Sequence, residues 1–149
     1  MKLAEALQLR KDLQMRVSHL ETRIIQNARV QEGDKPSEDP NQLLKELDKD
    51  TKELEELIGR INIANATKTV DGKSITELIA KREVLSRKID ILRNVRYAAA
   101  DLANRAYGTD IKVVSTISVP KIQKEIDDLS KEYRELELKI QETNWLTEI

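Results

Sequence analysis

From Val119 to Ile140 the apolar residues stand at Val119, Ile122, Ile126, Leu129, Tyr133, Leu136 and Ile140, alternating steps of three and four without a miss. A mean spacing of about 3.5 draws one stripe along an α-helix, whereas a strand would scatter the same residues over both faces. A stripe of that length is hidden only by other helices. This one segment therefore argues for a protein built of packed helical neighbours.

The rest of the chain supplies those neighbours. Leu13, Val17, Leu20 and Ile24 mark a first helix over residues 3–28, with Arg10 interrupting the register one turn earlier. A second, over 41–64, carries Leu44, Leu47, Thr51, Leu54, Ile58, Ile61 and Asn65 in register, with Leu43 and Leu57 widening the stripe. A third, over 75–103, carries Ile75, Leu78, Leu85, Ile89, Leu92 and Ala99, and puts Arg82 and Arg96 on the same seam. The last runs over 119–144. With 36% charged residues, 3% aromatics, four glycines and three prolines, the composition is that of long helices. The chain of 149 residues is one domain long. The expected fold is all-α: a single domain over 1–149, folded as an elongated antiparallel four-helix bundle or as paired coiled-coil hairpins.

The breaks between helices are equally readable. In VQEGDKPSEDP, Gly33 and Pro36 stop the first helix, and Asp39 before Pro40 reads as an N-cap followed by proline at the first helical position. In TKTVDGKS, Asp71-Gly72 signals a turn and a small hairpin between Thr69 and Ser74, and Ser74 with Glu77 has the spacing of a capping box. The β-branched run IKVVSTISV predicts a short extended or β segment before the last helix, which Ser118 can cap. Charge alternates along the chain: residues 1–29 carry +3, 41–65 carry −2, 77–105 carry +3 and 119–149 carry −3. Antiparallel neighbours of opposite sign suit that order.

Chemistry is harder to find. The net charge of −1 provides no general attraction to nucleic acid or anionic lipid, and three tyrosines with one tryptophan are too few for a base-stacking surface. With no cysteine and only His19, the chain assembles neither a thiolate zinc site nor a Ser-His-Asp triad. Glu32, Asp34, Glu38 and Asp39 lack EF-hand spacing, and DGKS lacks the upstream glycine loop of a phosphate cradle. The start, MKLAEALQLRKDL, has no apolar core of a signal peptide, and no window approaches the ~20 apolar residues of a membrane helix. The expectation is a cytoplasmic protein with no cofactor, no metal and no catalytic centre, and with neither membrane nor nucleic acid as partner.

Six residues stand out as structural or interface candidates. Asn62 and Asn65 lie near the end of the second helix, where side-chain amides can satisfy free backbone groups. Arg82 and Arg96 interrupt an apolar seam, where an arginine paired with a neighbouring carboxylate sets register or oligomer state. Tyr133 sits in the seam of the last helix. Trp145, the largest apolar side chain, stands in ETNWLTEI at the end. Continuing past Ile140, it is expected to plug the junction of the second and third helices, or the same region of a second chain.

As a whole the chain resembles a family of small bacterial helical proteins labelled septicolysin. The likeness rests on MKLAEAL, NARVQEGDKPSEDP, RINIANAT, LIAKREVLSRKIDILR, KVVSTISV and YRELELKIQETNW, in that order along the chain. The resemblance implies a bacterial, single-domain helical protein and brings no established activity; its label suggests a cytolysin. The seams point instead to association, with copies of the same chain or with an unidentified protein partner. The rivals are a membrane-active protein, and a nucleic-acid-associated protein using Arg82, Arg87, Lys88, Arg93 and Arg96.

Overall fold

The computed structural model describes residues 1–102 and 111–149. Its elements are α1 (Leu3–Asn27), α2 (Pro40–Thr67), β1 (Thr69–Val70), β2 (Lys73–Ser74), α3 (Ile75–Ala100) and α4 (Val119–Leu146). The fold is all-α, as the seams require. Two compact units divide the chain: residues 1–75 with 143–149, and residues 76–142.

In the first unit α1 packs on α2. Leu3, Ala6, Leu13 and Leu20 of α1 are buried, with Val17 and Ile24 half-buried between them. The buried positions of α2 are Leu43, Asp50, Leu57, Ile61 and Ala64. This corrects part of the expected stripe: Ile61, Leu43 and Leu57 are buried as expected, but Leu44 and Thr51 face solvent, and the seam passes through Asp50. A count of apolar side chains misses that seam because a carboxylate occupies one of its positions. Asp50 is tolerated there because Arg16 of α1 reaches it at 2.6 Å. Thr51 turns outward and returns its hydroxyl to the Leu47 carbonyl at 2.7 Å.

Both ends of this unit are tied. Asn27, at the end of α1, donates to the Arg23 carbonyl at 2.8 Å and accepts from the Glu38 backbone N–H at 3.0 Å, while Arg23 grips the Glu38 carboxylate with two nitrogens. Asp39 then caps α2 by accepting from Asn41 N–H at 2.9 Å, with Pro40 at the first helical position. At the other end, Asp71 (φ 51°) and Gly72 (φ 79°) make the turn with two positive φ angles that the Asp-Gly pair favours. The turn pairs Thr69 with Ser74 and Val70 with Lys73.

The chain's last residues close the same unit. Lys2 and Glu148 form an antiparallel bridge, with Leu3 N–H on the Thr147 carbonyl at 2.8 Å and Ile149 N–H on the Met1 carbonyl at 2.9 Å. Trp145 does not plug the junction within its own chain: it is 60% exposed, whereas Asn144 and Thr147 are buried. The reason is helical phase. Steps of four and three from Ile140 lead to Asn144 and Thr147, and Trp145 falls one residue off that line. The chain's two ends meet through backbone hydrogen bonds rather than through an indole.

In the second unit α3 packs antiparallel on α4. Leu85, Ile89 and Ile126 form its buried cluster, with Leu92, Ile122, Leu129 and Tyr133 packed against it. Burial of each of these aliphatic side chains contributes about 1.5–3 kcal/mol. The ion pairs follow the charge alternation of the sequence. Lys81, Arg82 and Lys88 of α3 meet Glu132, Glu137 and Glu125 of α4 at 2.8, 2.8 and 3.3 Å, just as Arg16 of α1 meets Asp50 of α2. Each exposed pair contributes little, but together they favour one pairing of helices over others.

Candidate association surface

The open end of the α3–α4 hairpin differs from everything above. α3 stops at Ala100, earlier than expected, and Asp101 and Leu102 lie beyond it; Ala103 falls outside the described residues. The small residues Ala98, Ala99 and Ala100 leave this last turn without large side chains to cap it. On the other side, residues 111–117 approach α4 without joining a strand, although the β-branched run suggested one as an alternative. A local turn forms instead: the Ser115 hydroxyl donates to the Ile117 carbonyl at 2.7 Å and accepts from Ile117 N–H at 3.3 Å. Ser118 then precedes α4, its carbonyl accepting from Ile122 N–H at 3.1 Å.

Between these two stretches lies an apolar groove of about 350 Å³, walled by Val95, Ala98, Ala99 and Leu102 on one side and by Val113, Val114 and Ile117 on the other. Around it Tyr97, Leu102, Ile111, Val113, Val114 and Ile117 are all exposed, Tyr97 by 77% and Val114 by 71%. Among the described residues, the backbone of Lys112, Val113 and Val114 makes no hydrogen bond. Exposed apolar side chains beside unpaired peptide groups are what a strand-adding or face-packing partner covers.

The residues singled out from the sequence are dispersed. Arg82 pairs with Glu137, whose carboxyl is held below the usual carboxylate range by hydrogen bonds from Gln141 and then from Arg82. Among the described residues Arg96 meets no carboxylate, where one was expected, and donates to the Gln123 side-chain oxygen. Both are helix-pairing residues within α3·α4, and Tyr133 is part of the same core. Asn62 is exposed and Asn65 half-buried, near the end of α2. The amide that does hold a backbone group is Asn27, which the sequence shows only as one helix-end asparagine among several. Of the basic residues on α3 considered for nucleic acid, Arg82, Lys88 and Arg96 are turned to α4. His19 is exposed.

The signal for the apolar end was present as IKVVSTISV, a β-branched run with no second strand of matching pattern nearby to pair it. Among the described residues, no three His, Cys, Asp or Glu side chains are grouped to hold a metal ion, and no helix is long and apolar enough to cross a membrane.

Comparison with known proteins agrees with this architecture. The crystal structure of a functionally unknown conserved protein from Corynebacterium diphtheriae is similar, with 35% identity over 100% of this chain and 98% of that one, and a TM-score of 0.88. A search of curated proteins found no match. The model of a family of unknown function, DUF6847, matches residues 10–149. With a match of that extent, the chain belongs to the DUF6847 family of unknown function.

Proposed function

We propose that this protein works by association, pairing with a second copy of itself through the open end of the α3–α4 hairpin. The observation that carries the reading is the coincidence of exposed Ile111, Val113, Val114 and Ile117 with the unpaired backbone of Lys112, Val113 and Val114. Two such segments, laid antiparallel about a two-fold axis, satisfy each other's peptide groups and cover each other's valines. The reading assigns no catalytic step, and the resemblance to the proteins labelled septicolysin adds none.

Light scattering across micromolar concentrations tests it. The native chain is expected to reach the mass of two chains, and Val114→Asp to stay at the mass of one, because a carboxylate buried at such a contact is left without a partner. A native protein that keeps the mass of a single chain throughout that range overturns the proposal.

A further inference from the structure

We infer that the α3·α4 hairpin also carries a groove for a small tetrahedral anion of the phosphate-monoester class, held by Arg93 and Arg134. The groove has a volume of about 290 Å³ and is distinct from the apolar end. That size is at the low end of small-molecule sites, about 300 Å³, and fits a compact ligand better than a dinucleotide. Ile89, buried, and Tyr133, half-buried, both line it. Ser86 on α3 and Ser130 on α4 leave room where longer side chains would meet across the hairpin, and each brings a hydroxyl.

The two cations at the groove are not tied to carboxylates of the opposite helix. Lys81, Arg82 and Lys88 are committed to carboxylates of α4. Arg134 has no carboxylate within ion-pair distance among the described residues. Arg93 touches Asp90 through one contact of 3.4 Å, with both side chains more than half exposed, so most of its five N–H donors remain available. Guanidinium groups make charge-assisted, bidentate bonds to phosphate oxygens, and donors arriving from two helices suit an anion with acceptors in three dimensions over a planar carboxylate. Asp90 opposes any anion there and moderates its affinity.

An NMR titration of the whole chain with inorganic phosphate, and in parallel with acetate at equal ionic strength, tests the groove. Phosphate is expected to shift the amides of Ser86, Ser130 and Tyr133 saturably, and acetate to do so far more weakly. Arg134→Gln and Arg93→Gln should each weaken phosphate binding by roughly fivefold or more, since a charge-assisted bond is lost. Asp90→Asn should tighten it. Arg87→Gln, on the same helix but outside the lining, should leave it unchanged. Equal losses for Arg87→Gln and Arg134→Gln would mean general surface attraction and overturn the proposal, as would the absence of saturable shifts at those three amides.

Discussion

The two helical hairpins use the same rules along their seams and opposite ones at their loop ends. In α1·α2 the connection is pinned by Asn27, Arg23 and Glu38 and enters α2 through a capped, proline-led turn. In α3·α4 the corresponding end leaves Leu102, Ile111, Val113, Val114 and Ile117 facing solvent around an apolar groove. Polar loops tolerate water; exposed apolar side chains do so at a free-energy cost that burial against a partner removes, and peptide groups free of internal bonds can pair with such a partner. The contrast is the ground for placing the proposed association surface at the second hairpin.

The largest effect that would sharpen this contrast lies in the first hairpin. Arg16→Gln strips buried Asp50 of its cation and should lower stability by roughly 1–3 kcal/mol in urea unfolding. Asp50→Leu, which completes an apolar seam, should restore or exceed the native value in the Arg16→Gln background. A smaller loss, about 1–2 kcal/mol, is expected for Asn27→Ala, which orphans the Glu38 N–H. Measured at concentrations too low for association, Val114→Asp should change stability by no more than about 0.5 kcal/mol. Equal losses for these two would erase the difference between the loop ends.

Trp145→Ala should be as mild, within about 0.5 kcal/mol, because its ring is mostly in water. Fluorescence of this sole tryptophan should already be that of a solvated indole in the folded protein. A blue-shifted emission that reddens only on unfolding would contradict the placement of Trp145.

Acid should loosen the tied ends. Glu38 is lowered from its ordinary value of 4.5 chiefly by the hydrogen bond from Arg23, and Glu148 chiefly by that from Lys2. A depressed carboxyl stabilises the fold above its unfolded value, and that contribution fades as pH falls through the lower folded value. Protection of the amides at Glu38 and at the Lys2–Glu148 bridge, measured against the intrinsic exchange rate at each pH, should therefore fall below about pH 4.5, while residues 112–114 stay unprotected in the isolated chain throughout. Protection at the ties that stays constant through that range would show that these ion pairs do not hold the ends.

Much of the architecture could be read from residue order because heptads are local. The seams of α1, α3 and α4, the Asp39-Pro40 start, the Asp71-Gly72 hairpin and the sign of the charges that pair across helices all follow from spacings within one segment. What escaped depended on distant partners. Asp50 occupies a core position only because Arg16, on another helix, reaches it, so hydropathy alone chose the neighbouring register. Trp145 was assigned by size, yet the seam beyond Ile140 passes through Asn144 and Thr147, two polar residues buried beside a backbone bridge that no side-chain pattern announces. The association surface was legible only as an unpaired β-branched run; its exposure depends on where α3 ends.

The central claim is that the open end of the α3–α4 hairpin is the contact between two copies. Sedimentation equilibrium of the native protein beside Val114→Asp tests it most directly. The account predicts a concentration-dependent rise to two chains for the native protein and a single-chain mass for the variant. A native chain that stays single, or a variant that assembles just as well, would contradict it.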